Sequence, residues 1–227
     1  GYIQRAIIQS GGGLGGIIST KSLQDAEEAG KAMWEASGYT TLEQMRACPT
    51  DKFQEVMMTY MKTLKTFNGL PYSPCVDGQL LEASVHDVAL QNNELDIPYM
   101  IGYTSEDIAP PVMKKAAVDW SLLLEKQGRQ PAYVYCFSRD LPGEDMPAAQ
   151  GGFGDMKGAF HSSELWYMFG TLDKCWRPME KVDYELGERM VSYWTNFAKT
   201  GSPNGEGLPV WKPCTKADNH IQDLNVK

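Results

Sequence analysis

Three short apolar runs limit what this chain can fold into. Arg5-Ala6-Ile7-Ile8-Gln9-Ser10, Ile97-Pro98-Tyr99-Met100-Ile101-Gly102-Tyr103-Thr104 and Pro131-Ala132-Tyr133-Val134-Tyr135-Cys136-Phe137 are rich in residues that suit a pleated, covered surface, and turn-forming residues follow each. They read as buried strands. Pro131 heads its run, where a strand tolerates the missing N–H. Helical spacing fills the intervals, so the chain reads as an α/β protein.

Ser22-Leu23-Gln24-Asp25 has the form of a capping box. It opens a helix with Leu23, Ala26, Gly30, Met33 and Ser37 on one face, closed by Gly38. A shorter helix is expected from Thr41. From Asp51, the spacing of Phe53, Val56, Met57, Tyr60, Met61, Leu64 and Phe67 predicts a long amphipathic helix. Its methionines would suit a pliable substrate wall, but a helical apolar stripe is more simply core. Asp77-Gly78 supplies the positive-φ turn that a hairpin demands. Ser84 to Leu90 reads as a short helix with His86 on its surface. Further helices are expected over Val112 to Gln127, with Trp120, Leu123 and Leu124 inward, and from Val182 to Phe197, ended by Gly201 and Pro203. There is no internal repeat.

A length of 227 residues allows one sizeable core or two small ones. The net charge of -8, with no Lys/Arg cluster, argues against a nucleic-acid partner. No apolar run approaches the length that spans a bilayer. The five cysteines are scattered without C-x-x-C spacing. They read as free thiols in a reducing compartment, and neither a metal nor a cofactor is expected. The absence of N-x-S/T sequons points the same way, towards a cytoplasmic setting. Gly1-Tyr2-Ile3-Gln4 has neither an initiator Met nor a signal-peptide pattern. The expectation is a piece that begins in the middle of a longer protein.

One of the three histidines, His161, falls between the Gly-rich stretch Gly151-Gly152-Phe153-Gly154 and the aromatic, helix-like segment Leu165-Trp166-Tyr167-Met168-Phe169. A loop histidine at a helix entrance can be reached by substrate and still be held by the scaffold. That is a suitable place for a general base. The stretch from Gly158 through His161 and Glu164 to Gly170 resembles the G-x-x-H-G-x-E-x-x-x-x-F-G motif of the type-B carboxylesterases, the cholinesterase-like branch of the α/β hydrolases. Arg5-Ala6-Ile7-Ile8-Gln9-Ser10-Gly11 is similar to that family's R-A-I-x-Q-S-G, and Pro74 to Leu81 to its P-V-V-D-G-x-x-L. Tyr133-Val134-Tyr135-Cys136-Phe137 with Leu141-Pro142-Gly143 resembles its Y-x-Y-x-F strand and following L-P-G. Tyr193 to Asn204 nearly reproduces Y-W-x-N-F-A-x-T-G-x-P-N.

The resemblance implies the carboxyl-terminal portion of an α/β-hydrolase fold, a mostly parallel sheet flanked by helices, with residues 1–227 belonging to a single domain. It also implies carboxylic-ester hydrolysis by Ser-His-acid acyl transfer, with His161 as general base and acid. The family pattern P-x-x-I-G-x-x-x-D-E-G places the triad acid at Asp107, with Glu106 beside it as the alternative. The chain departs from the pattern with Asp for Glu and Ile108 for Gly, which shortens the acid's reach. Ser10 is not read as the nucleophile, because Ile8 stands where a nucleophile elbow needs glycine. No G-x-S-x-G and no H-G-G loop occurs, and in the family both lie upstream. The expected partners are therefore a small-molecule carboxylic ester and the N-terminal half of the same enzyme, and this chain alone is expected to be inactive. The competing reading is a catalytically silent, cholinesterase-like adhesion module. Retention of His161 with a neighbouring acid favours the enzyme.

Overall fold

The computed structural model describes residues 1–11, 13–15, 20–63, 73–145 and 156–226. In chain order the elements are β1 (Ala6–Gln9), β2 (Lys21–Ser22), α1 (Leu23–Ser37), α2 (Leu42–Arg46), α3 (Thr50–Thr63), β3 (Cys75–Val76), α4 (Val85–Leu90), β4 (Tyr99–Thr104), α5 (Pro110–Lys126), β5 (Tyr133–Phe137), α6 (Leu165–Met168), a 3-10 turn (Leu172–Lys174), α7 (Lys181–Thr200) and β6 (Gln222–Leu224). They fall into two compact units, Gly1–Gly16 with Asn92–Lys227, and Ile17–Gln91.

The first unit is built on a parallel sheet in the order β1-β4-β5-β6. All residues of β4 are buried, as expected for a strand covered on both faces. Side chains alternate across it. Tyr99 meets Trp120 of α5 edge-on at 5.4 Å, while Met100 joins the core under α7. Leu186, Met190, Tyr193, Trp194 and Phe197 form the buried stripe of α7, the 3.6-residue period of a helix lying on a sheet. Tyr133, Tyr135 and Phe137 of β5 project into the same core, where the fully buried Trp211 meets Tyr193 at 5.2 Å and both Tyr133 and Tyr135 at 6.2 Å. Burying each such side chain stabilises the fold by roughly 1.5–3 kcal/mol.

Close approach fixes one position in the sheet. Gly102 pairs with Tyr135, and a Cβ on Gly102 would lie 2.3 Å from the tyrosine ring. The ring lies across the glycine, so no larger residue fits. The turn after α7 is fixed by side-chain bonds. Gly201 takes φ 83° as the C-cap, and Asn204 Oδ1 accepts from Trp211 N while its Nδ2 donates to Trp211 O, at 2.7 and 2.9 Å. The T-G-x-P-N stretch is thus the clasp that delivers Trp211 to the core.

In the second unit, α1 and α3 accompany a two-stranded parallel sheet of β2 and β3. Ser22 caps α1 through the Asp25 N–H at 3.1 Å, and Thr41 with Gln44 forms a full capping box on α2. Val56 and Tyr60 are the buried residues of α3, whereas Met58 is exposed. Leu64 and Phe67, expected on the same helix, lie outside the described residues, as does Gly151-Gly152-Phe153-Gly154.

The structure departs from expectation in three places. Asp77-Gly78 makes a turn with Gly78 at φ 73°, but no hairpin, since β3 pairs in parallel with β2. Asp77 Oδ1 instead gathers the N–H groups of Gln79, Leu80 and Leu81 at 2.9–3.0 Å, a closed Asx-type turn that needs no partner strand. Helix α5 takes in Pro110 and Pro111 at its first positions, where a missing N–H costs nothing. The main sheet has a fourth strand, β6, whose Gln-Asp-Leu composition gives no apolar run to detect.

Candidate active site

The carboxyl ends of β1, β4 and β5 converge on one edge of the parallel sheet, the usual location for ligand groups in such folds. Backbone bonds draw the histidine loop onto this edge. Ser105 N donates to Phe137 O at 2.9 Å, and Glu106 N to Ala159 O at 3.1 Å. Glu106 and Phe160 form a parallel bridge. The loop is therefore stitched to the end of β4 immediately before His161.

This stitching compensates for the shorter acid. His161 Nδ1 lies 2.7 Å from Asp107 Oδ1. The carboxylate can only accept, so the ring proton resides on Nδ1 and Nε2 is left as the basic nitrogen. The Asp107 side chain is fully buried, while that of His161 is 39% exposed. The acid is thus shielded and the imidazole accessible.

Asp107 is held by four donors. Besides His161, Oδ2 accepts from Ser10 Oγ at 2.5 Å and from Thr104 N at 3.1 Å, and Oδ1 accepts from Ile108 N at 2.9 Å. Burial alone would raise its carboxyl, but the bonds from His161, Ser10, Thr104 and Ile108 outweigh burial and bring it down to about 2. The bond to Asp107 raises His161 above its usual value against the opposing effect of burial, with further help from the charges of Asp107 and Glu164. Asp107 is therefore a carboxylate at neutral pH, fit to orient an imidazole and to stabilise its cation.

The structure thus brings Asp107 and His161 together. Glu106 is exposed and lines a polar groove with Asp140, Asp145 and Lys157 instead. His86 is exposed on α4. Two participants escaped the sequence reading. Ser10, weighed there only as a nucleophile, donates to the acid, and Gln9 Nε2 donates to Glu164 Oε1 at 3.3 Å. Their position at the carboxyl end of a parallel strand was the signal that could have found them.

Backbone strain gathers here as well. Ser10 and Ser162 adopt positive φ, 49° and 70°. Left-handed backbone is costly for residues other than glycine and is concentrated at functional sites. Ser162 stands where the family's histidine motif has glycine.

All five cysteines are free. Among the described residues, no cluster of three His, Cys, Asp or Glu side chains could hold a metal ion, and no helix is long and apolar enough to cross a membrane.

Comparison with known proteins bears on the family and the fold. Carboxylesterase 4A of Bos taurus is 33% identical over 98 residues, 43% of this chain and 16% of that protein. A structure described as a thermophilic pNB esterase superposes with a TM-score of 0.71 at 18% identity, covering 98% of this chain and 54% of its own. The Geobacillus stearothermophilus carboxylesterase superposes with a TM-score of 0.68 at 17% identity, covering 98% and 54%. The chain thus spans about half the length of these solved structures, and their shared architecture is the α/β-hydrolase fold. The description "Carboxylesterase family" matches residues 1–118 and 112–227. With both ends of the sequence matched and the motifs of the type-B branch in place, this chain belongs to the carboxylesterase family.

Proposed function

We propose that this chain supplies the acid and the base of a carboxylic-ester hydrolase, with Asp107 as the orienting acid and His161 as the general base and acid. The observation that carries this reading is the short contact from the buried Asp107 carboxylate to Nδ1 of a half-exposed imidazole. It gives an adhesion module no advantage and gives acyl transfer what it needs.

The chemistry follows from the tautomer. A serine hydroxyl attacks the ester carbonyl as Nε2 takes its proton, and the resulting imidazolium is stabilised by Asp107. Nε2 then returns the proton to the departing alkoxide, which leaves as alcohol. Water attacks the acyl-serine in the second half and gives its proton to Nε2, which passes that proton to the serine oxygen as the carboxylic acid leaves. The serine belongs to an N-terminal half of the same enzyme, together with the donors for the oxyanion. What supports this is the absence of G-x-S-x-G from the sequence and the bonding of Ser10 to the acid. In this reading both compact units are parts of one hydrolase domain.

The test is complementation with a chromogenic short-chain ester. This chain alone should not accelerate hydrolysis, since loss of a triad member typically costs roughly four to six orders of magnitude. Combined with an N-terminal half bearing the elbow serine it should, and His161→Ala should abolish the gain. Hydrolysis by the isolated chain, or reconstituted hydrolysis that survives His161→Ala, would overturn the reading.

A further inference from the structure

Arg177 has a buried side chain, 1% exposed, yet its nearest carboxylate is that of the largely exposed Asp145 at 3.6 Å, beyond hydrogen-bond reach. The guanidinium turns to the main chain instead. Nη2 donates to Met156 O at 2.5 Å, Nη1 lies 3.5 Å from Pro142 O, and Nε finds no hydrogen-bond partner among the described residues. A buried guanidinium without a close counter-charge costs stability. What it secures here is the backbone of Met156, five positions before His161.

The residues on either side of Arg177 bear on the same loop. The Trp176 ring lies 6.4 Å from that of Phe160, which immediately precedes His161, and Trp166 meets both edge-on, at 5.0 and 6.0 Å. Pro178 packs against Gly143, where a Cβ would lie 2.7 Å from the proline ring. Trp176, Arg177 and Pro178 thus contact Phe160, Met156 and the turn at Pro142-Gly143 from one short segment. Glu106 N already ties the loop to the end of β4 at Ala159 O. The bond from Arg177 ties it again at Met156, three positions earlier. One attachment would let the loop pivot, whereas two fix the direction in which the following imidazole is carried.

We propose that Trp176-Arg177-Pro178 is a brace for the histidine loop, and that Arg177 is a positioning residue of this site, holding Met156 so that the His161 ring stays seated on Asp107. Arg177 acts through the main chain, and Trp176 through the ring of Phe160. A reacting group must be kept within a fraction of an ångström of its productive place by residues that are themselves held. The buried guanidinium meets that condition, since its own side chain is enclosed by the fold.

The inference rests on His161 as the base, but its test needs no ester. The Nδ1 proton that His161 shares with Asp107 should resonate far downfield in the NMR spectrum, and its exchange with water reports how firmly the ring is seated. Arg177→Met retains the apolar stem and removes the donors. In that variant the His161 proton should exchange about tenfold faster, as for the loss of one hydrogen bond. The indole N–H of Trp211, fully buried in the core under α7, is the reference. A merely structural Arg177 would loosen both protons alike. Acceleration at His161 that exceeds that at Trp211 by about threefold or more supports the proposal, and a smaller excess overturns it. Should Arg177→Met fail to fold, Trp176→Ala is read against the same threshold, because Trp176 is 52% exposed and its removal leaves the core intact. Absence of the downfield proton from the unsubstituted chain would count against the Asp107–His161 pair and the brace together. A firmly seated ring that ignores both substitutions would count against the brace alone.

Discussion

Ser10 Oγ lies 2.5 Å from Oδ2 of Asp107, on the carboxylate oxygen that His161 does not use. The two residues hold the acid from opposite sides. Ser10→Ala removes one bond of four and leaves the acid attached to His161. The expected result is a loss of about 1–2 kcal/mol in stability and a three- to tenfold loss of reconstituted esterase activity, roughly the same 1 kcal/mol expressed as rate. Abolition of activity, with the fold intact by circular dichroism, would mean that Ser10 does more than hold the acid.

Asp107→Asn should be far more severe for chemistry than for folding. The amide can present its N–H to the ring and stabilise the wrong tautomer, so reconstituted kcat should fall by roughly three to four orders of magnitude. The NMR midpoint of His161 should fall as well, because the bond to Asp107 is the main cause of its elevation. An unchanged midpoint would show that the contact does not govern the ring.

Acid stability provides a separate measure of the same carboxylate. Asp107 sits at about 2 in the folded chain against the usual 3.8. A group whose folded value is lowered stabilises the fold above its unfolded value and loses that contribution as pH falls. Here the contribution is about 2 kcal/mol, lost between roughly pH 4 and 2. His161 runs the other way. Its folded value is raised, so its contribution is full below the usual 6.5 and fades as pH rises through the folded midpoint. Urea unfolding across pH 2–8 should therefore show an acid limb that is shallower in Asp107→Asn, and superposable limbs would refute the assignment.

Ser162→Gly should stabilise the chain. Ser162 adopts φ 70°, a region where a side chain costs roughly 1–2 kcal/mol and glycine nothing. Part of that gain is offset by the greater freedom of glycine in the unfolded chain. A net gain of about 0.5–1 kcal/mol is expected from denaturant melts, and a loss would show that the serine side chain holds the loop.

Asp183 on α7 is fully buried and accepts from Arg139 Nε, the Tyr167 hydroxyl and Glu180 N at 2.7–2.8 Å. Asp183→Ala leaves the guanidinium only its longer contact with Glu180 at 3.5 Å and the hydroxyl only Met179 Sδ at 3.9 Å, and should cost about 3 kcal/mol. Tyr167→Phe removes one donor and should cost about 1 kcal/mol. Thermal unfolding of both variants checks the order, and equal losses would contradict it.

The strands at Tyr99 and Tyr133 were legible because burial on both faces demands contiguous apolar and aromatic residues. The stripe of α7 was legible for the same reason at helical spacing. Strand β6 was not, since three residues of mixed polarity are defined by their backbone pairing with β5 and leave no trace in composition. Asp183 was hidden because its burial depends on Arg139 and Tyr167, distant in sequence. In the site, Asp107 and His161 could be named from motif position. Gln9 and Ser10 could not be assigned their partners, which lie 155 and 97 residues away along the chain.

Strand β1 pairs with β4 so that Gln9 faces Gly102, and Ser10 N continues the ladder to Gly102 O. Because successive strand residues point to opposite faces, a slip of one position would withdraw the amide from Glu164 and the hydroxyl from Asp107 together. Alignment of one four-residue strand then reaches the His161 ring through the Ser10–Asp107 bond, and the titration curve of His161 doubles as a gauge of whether the edge of the sheet has zipped in phase.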